Sequence, residues 1–340
     1  MDERKTRILE AIVKDYIESA EPVGSRTLAR KHDLGVSPAT IRNEMADLEM
    51  LGYLEHIHTS SGRIPSSKGY RFYVDDLLPP RPLGAREKAL IDKWYRAKVK
   101  AIDEVFKETA RIISRVTGNV SMVLAPQMNK AAFRCLQFLP LDDYRAIAVL
   151  MTDAGFVENR IVPLPDGASF EDFQRMARVI NDTLAGVTLD ALPPGSLKKI
   201  RAEIGDEEIY QAAIEIINRS LDNEKKERLY LGGTGEMLSQ PEFRDVERVK
   251  EILLMLEEEE LMRDILHAHV GNGLTVSIGQ ENDYKGAKDL SIITATYRLG
   301  GELIGTIAVM GPTRMEYEKA MALLDYMNGH LSEVVQKFRW

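Results

Sequence analysis

The stretch SPATIRNEMADLEMLGYLEHIHTSSGRIP, residues 37–65, decides how the chain is read. Ser37 is a good helix N-cap, because its hydroxyl can accept a bond from a first-turn N–H that has no partner inside the helix. Pro38 suits the first helical position, where no N–H is needed. Ile41, Met45 and Leu48 recur at i, i+4 and i+7 and make one apolar face. The opposite face carries Ala39, Asn43 and Ala46, flanked by Thr40 and Arg42. Small and amide side chains with an arginine at the edge suit entry into a groove. Gly52 ends the helix. Tyr53 to His58 alternates as a short strand, and Thr59 to Arg63 is a Gly- and Ser-rich tip. That order is a recognition helix followed by a wing.

Upstream, residues 3–19 form an amphipathic helix with Ile8, Leu9, Ile12, Val13, Tyr16 and Ile17 on its core side. Glu21 to Gly24 is a turn. Ser25 is expected to cap a second helix over Arg26 to His32, and Asp33 to Val36 is a tight turn. Helix, turn, helix at this spacing is the DNA-binding arrangement, with the second helix of the pair reading bases. Thr40, Arg42 and Asn43 are therefore assigned to base edges. Arg suits guanine O6/N7, Asn suits adenine N6/N7, and a Thr methyl can meet a thymine methyl. A phosphate contact is the alternative for Arg42. Ser25, Arg26, Ser37 and Ala39 complete the DNA-facing set on the helix pair. Ser61 and Arg63 represent the wing, with Lys68 and Arg71 expected on phosphates. Ser66 caps a further helix, where Tyr70, Tyr73, Val74 and Leu77 repeat at 0, 3, 4, 7.

The chain of 340 residues has room for two or three domains. Its single cysteine, Cys135, excludes an internal disulfide framework and fits a reducing compartment. The charged start (Asp2, Glu3, Arg4, Lys5) is no signal peptide. The longest apolar runs, such as Leu303 to Met310, are too short to span a bilayer, and a cytoplasmic location is expected. The net charge of -8 argues against bulk electrostatic attraction to nucleic acid. Residues 1–78 are no more basic, with 11 Lys and Arg against 13 Asp and Glu. From His56 to Val74, however, Arg63, Lys68 and Arg71 stand without any acidic residue, and a local patch is what counts for phosphate contact.

Residues 21–75, EPVGSRTLARKHDLGVSPATIRNEMADLEMLGYLEHIHTSSGRIPSSKGYRFYVD, resemble the N-terminal domain of the HrcA family of heat-inducible transcription repressors. VSPATIRNEM and HTSSGRIPSSKGYRFYVD carry the resemblance most specifically; the remainder matches more loosely in length and layout. The resemblance implies an α+β chain. A winged helix-turn-helix (1–78) leads through a linker (79–86) to a GAF-like domain (87–165 and 229–340). That domain is interrupted by a mostly helical inserted dimerisation domain (166–228). It further implies a homodimer that binds an inverted-repeat operator, the CIRCE element, upstream of chaperone operons. It also implies dependence on the GroE chaperonin, whose titration by misfolded protein would trigger induction.

The residues downstream fit that layout. PPRPLGAR, residues 79–86, reads as a semi-rigid spacer that holds the DNA-binding domain off the body and lets it reorient. A long helix is expected over 86–117. Strands are expected at Val120 to Ala125, Phe133 to Leu139, Arg145 to Met151, Phe156 to Pro163, Leu274 to Gly279, Ser291 to Leu299 and Leu303 to Met310. A final helix runs from Glu316 to Phe338. In the insert, Phe170, Phe173, Met176, Val179 and Ile180 make a stripe that serves either as the dimer interface or as the insert's own core.

Other features carry little chemistry. Gly232-Gly233-Thr234-Gly235 lacks the lysine of a P-loop and reads as a turn with Thr234 as N-cap. His267 and His269, two apart, point to different sides of a helix and make a poor metal pair. Cys135 sits in an apolar strand without an evident base partner. No nucleophile–base or paired-carboxylate arrangement stands out, so neither an enzyme nor a bound cofactor or metal is expected. A metabolite-responsive regulator, with an effector in the GAF-like domain, is the alternative function.

Overall fold

The computed structural model describes residues 1–56, 62–79, 82–98, 102–125, 132–153, 157–164, 168–188, 194–205, 207, 210–211, 214–215, 227–269, 273–299 and 302–337. Helix α1 (Glu3–Ser19) is capped by Asp2, whose carboxylate accepts from the Lys5 N–H. Ile8, Leu9, Ile12 and Val13 of α1 are fully buried. Helices α2 (Ser25–Lys31) and α3 (Pro38–Met50) pack on it, burying Leu28, Ile41, Met45 and Leu48. Gly24, not Ser25, occupies the N-cap of α2, and no side chain caps that end. After α3, Gly52 adopts φ +79, the left-handed conformation that lets the chain leave the helix. Two short antiparallel strands follow, β1 (Leu54–Glu55) and β2 (Ile64–Pro65). A Val23–Arg63 bridge ties this ribbon to the turn between α1 and α2. A Cβ on Gly62 would lie 2.3 Å from the Val23 carbonyl oxygen, so the bridge needs glycine there. Ser66 caps α4 (Ser67–Phe72), which runs on through a π-turn to Leu77.

The body is built on a five-stranded antiparallel sheet, order β7-β3-β10-β9-β8. Its strands are β3 (Val120–Leu124), β7 (Leu229–Gly232), β8 (Leu274–Ile278), β9 (Leu290–Leu299) and β10 (Glu302–Pro312). Helices α5 (Ala85–Lys98), α6 (Ile102–Thr117) and the last helix (Tyr317–Lys337) cover one face. The other face is covered by two helices at Val246–Glu257 and Glu259–Ala268. The helix expected over 86–117 is described as helical at Ala85–Lys98 and Ile102–Thr117, with residues 99–101 outside the described set.

Two expectations need correction. First, β4 (Phe133–Asp142), β5 (Arg145–Thr152) and β6 (Val157–Pro163) do not join the body sheet. They pair only with one another in a separate sheet. Their inner side chains, Phe133, Leu136, Phe138, Ala148 and Leu150, pack on α7 (Phe170–Leu184) and α8 (Pro194–Ile204) in a core of their own. Among the described residues these strands and the two helices form one mixed α/β unit from residue 132 onward, so the expected boundary at 165/166 falls between its sheet and its helices. Second, residues 79–86 do not hold the N-terminal unit away. Leu83 is buried, the Tyr70 ring lies 5.8 Å from that of Tyr317, and one continuous core runs from Ile8 to Leu331.

The Gly-rich turn also differs in detail. Gly233, at φ +86, is the N-cap of a four-residue helical turn, with Thr234 at its first position.

Candidate nucleic-acid interface

The outward face of α3 is positioned by what its inward face buries. With Ile41, Met45 and Leu48 inside, Ala39, Arg42 and Asn43 are exposed and Thr40 and Ala46 are half-buried. Ser37 caps the helix as its sequence implies, its Oγ accepting from the Thr40 N–H at 3.1 Å. The Thr40 hydroxyl is drawn into this cap, 3.0 Å from Ser37 Oγ. Ser25 is buried at the first position of α2. Ser61 lies outside the described residues.

The basic side chains are the informative part. Lys5 contacts Glu44 at 2.7 Å and Asp47 at 3.1 Å, and Arg4 also meets Glu44. Arg7 donates to the Asp33 carbonyl, and Lys14 pairs with Glu10. Lys31 is held by Asp15 and Glu18 at 2.8 and 3.0 Å. Asp15 is buried, which would raise its pKa, but Lys31 and His32 beside it hold the carboxyl below the usual range.

Three of the expected phosphate contacts are already occupied. Arg63 places Nε 2.7 Å from Glu49 of α3 and Nη1 3.1 Å from His56, so it staples the ribbon to the helix. Lys68 donates to the Leu51 carbonyl at 2.8 Å, at the negative end of α3, and lies over the Tyr53 ring. Arg71 reaches the body: it forks onto Glu281, donates to the Val276 carbonyl at 2.6 Å and meets Asp75 at 3.1 Å. Glu281 is partly buried, which opposes its charge, yet Arg71 and the Ile278 N–H keep its pKa lowered. Arg314 anchors the same seam by donating to the Ile17 carbonyl at 3.1 Å while paired with Glu242.

Arg26, Arg30 and Arg42 remain. All three are exposed, and they form no ion pair or hydrogen bond among the described residues. The sequence reading had assigned Arg26 and Arg42 but passed over Arg30. Its signal was present in the four-residue spacing from Arg26, which puts both on one side of α2.

The insert's stripe lies elsewhere than expected. Phe173, Met176 and Ile180 are buried in the insert's own core, Phe138 meeting Phe173 edge-to-face at 4.9 Å, and Phe170 and Val179 pack against that core. They close the unit internally and are not a surface. The insert's exposed apolar face is the other side of its sheet. Leu139, Ile147 and Ile161 are aligned across its three strands, as are Cys135, Met151 and Val157. Leu139, Val157 and Ile161 are 50, 51 and 55% exposed. Cys135 is half-buried on this face.

His267 lies 2.6 Å from Glu227, and His269 bonds the Ile265 carbonyl, so the two histidines serve separate partners. Among the described residues no helix is long and apolar enough to cross a membrane.

Residues 103–321 match the family model described as the HrcA protein C terminal domain. A heat-inducible transcription repressor HrcA from Symbiobacterium thermophilum is 42% identical over 340 residues, 99% of this chain and 100% of the relative. One from Desulfitobacterium hafniense is 45% identical, covering 98% of both. A crystal structure of a hypothetical protein at 2.2 Å resolution shares the fold across 99% of both chains, with TM-score 0.72 and 24% identity. Both relatives are named as repressors, not as enzymes. By its family model and whole-length relatives, the chain belongs to the HrcA family of heat-inducible transcription repressors.

Proposed function

We propose that this repressor acts by placing α3 in the major groove of an inverted-repeat operator, the CIRCE type, upstream of chaperone operons. The observation that carries this reading is the outward face of α3. Ala39, Arg42 and Asn43 are exposed, and neither long side chain is used internally. Asn43 suits adenine and Arg42 guanine, with the Thr40 methyl against thymine. The N-terminal unit then acts as a winged helix-turn-helix. Its ribbon serves mainly to brace α3, because Arg63 is bound to Glu49.

One such helix reads too few base pairs to find a site in a genome, so a two-fold homodimer on a palindrome is expected. The open apolar face of the three-stranded sheet supports an assembly role for the insert, with Leu139 and Ile161 at its centre. The body sheet, covered by helices on both faces, has the layering of a GAF-like domain. Release on heating through competition for the GroE chaperonin completes the reading, in the cytoplasm.

Anisotropy titrations on the organism's own chaperone promoter repeat and on scrambled duplex test it. Asn43→Ala should cost about 1–3 kcal/mol on the repeat and much less on scrambled DNA. Equal loss on both would remove Asn43 from base readout. Binding that ignores the repeat altogether would remove the operator.

A further inference from the structure

The N-terminal unit is net acidic, yet its proposed partner is a polyanion. The resolution lies in which cations are spent internally. Of the 11 Lys and Arg in residues 1–78, Arg4, Lys5, Arg7, Lys14, Lys31, Arg63, Lys68 and Arg71 are each engaged with a carboxylate or a carbonyl. Arg26, Arg30 and Arg42 are the exposed remainder, and all three sit on the helix pair. A cation paired with a carboxylate adds little to an external field, because its partner's charge cancels it within a few ångströms; Arg7 and Lys68, held by backbone carbonyls, keep their charge but have a donor committed to the chain. An unpaired guanidinium keeps its charge and its five donors, and its planar fork matches two phosphate oxygens.

We infer that Arg26 and Arg30, on the first helix of the pair, form the DNA-backbone clamp, and that the wing arginine does not. This inference rests on the reading of α3 as the groove helix. When the second helix of such a pair lies in the major groove, the first crosses the phosphate backbone. Positions 26 and 30 are one helical turn apart, so α2 offers two parallel guanidinium groups to successive phosphates. Arg42 is left for base edges. Specificity then comes from α3, and the salt-dependent, sequence-independent part of affinity comes from α2.

The test measures affinity against salt, from about 50 to 200 mM, for the full chain on repeat and scrambled duplexes. Arg26→Gln and Arg30→Gln should each flatten the slope of log affinity against log salt by about one unit per bound protomer. Each lost contact reduces the salt-induced loss of affinity over that range about 3.5-fold. Both duplexes should be affected equally. Lys14→Gln carries the same charge change on a paired lysine and should leave the slope in place. So should the charge-neutral pair Arg63→Gln with Glu49→Gln. An unchanged slope in Arg30→Gln overturns the clamp, as does a loss confined to the repeat. Flattening by the Arg63/Glu49 pair instead would put the clamp on the wing. If the unaltered chain binds the repeat in preference to the scrambled duplex, the groove reading stands whatever the variants do; if it binds neither duplex, both inferences fall together.

Discussion

On α3 the outward side chains are Ala39, Arg42 and Asn43; on the three-stranded sheet of the insert they are Leu139, Ile147, Val149, Met151 and Ile161. Both surfaces are left open by the packing behind them, and they are opposite in chemistry. The first is small, polar and cationic, and a partner must satisfy its donors. The second is mostly apolar, with the exposed Gln137 and Asn159 flanking Val149 between its two apolar rows; covering its apolar part releases water and gains about 25 cal/mol per Å². A charged ligand with a fixed pattern of acceptors fits the first, and a second apolar sheet face fits the second. Under the proposed function the two surfaces divide the labour, recognition falling to α3 and assembly to the three-stranded sheet.

The insert can be broken in two distinguishable ways. Phe173 is fully buried and lies edge-to-face on Phe138. Phe173→Ala should destabilise the insert by about 3–5 kcal/mol, through lost burial and the cavity left behind. Urea unfolding followed by a probe in the insert would measure this. A stable variant that merely failed to self-associate would return α7 to the interface, against its burial.

A charge on the open face separates assembly from folding. Ile161 is 55% exposed in the single chain, so Ile161→Glu should leave unfolding within about 0.5 kcal/mol of the original. In a dimer closed through this face, the carboxylate would be buried without a partner, at a cost of several kcal/mol. Self-association measured by sedimentation should weaken by roughly a hundredfold or more, which corresponds to about 3 kcal/mol. A variant that sediments as the unaltered chain does would move the interface to another face.

The two regions also differ in how much of them the sequence discloses. The helix pair is legible because its signals are local: the Ser37-Pro38 start, the Ile41–Met45–Leu48 spacing and the left-handed Gly52 all lie within sixteen residues. Of the residues expected to face DNA on α3, Ala39, Arg42 and Asn43 are exposed as their periodicity requires, and Thr40 is half-buried. Arg63, Lys68 and Arg71 look alike in sequence, three cations in a stretch free of acids. Their partners Glu49, Leu51 and Glu281 come from elsewhere in the chain, and only the fold brings them together. The insert's strands were legible as strands, but not their allegiance. β3 pairs with β10, more than 180 residues onward, whereas β4 pairs with its sequence neighbour β5. Alternating apolar residues specify a strand and its buried face without naming the sheet it joins. That is why the sequence alone groups β4–β6 with the body strands rather than with α7 and α8.

The smallest effect concerns how the N-terminal unit restrains its own cations. Asp15 is buried at the junction of α1 and α2, 2.8 Å from Lys31 and 2.9 Å from His32. Its carboxyl is held below the usual range by those two neighbours, against the opposing effect of burial. A carboxyl whose pKa is depressed on folding contributes stability that is fully present above its unfolded value, near 3.8, and is lost as pH falls through the lower folded value. Asp15→Asn removes that contribution at every pH. At pH 7 the variant should therefore lose about 2 kcal/mol, the worth of a hydrogen-bonded contact to a charged partner. Below about pH 4 the difference between the two chains should shrink towards zero, because the unfolded carboxyl takes up its proton first and the native one follows at lower pH. The same substitution leaves Lys31 with Glu18 as its one remaining anionic partner, next to Arg30 on α2. Non-specific DNA affinity should then rise slightly at low salt even as stability falls. Melting curves across pH 3 to 7 read the first effect, and anisotropy on scrambled duplex reads the second. A stability gap that stays constant with pH would mean that Asp15 acts by packing rather than by charge, and that Lys31 is not restrained by it.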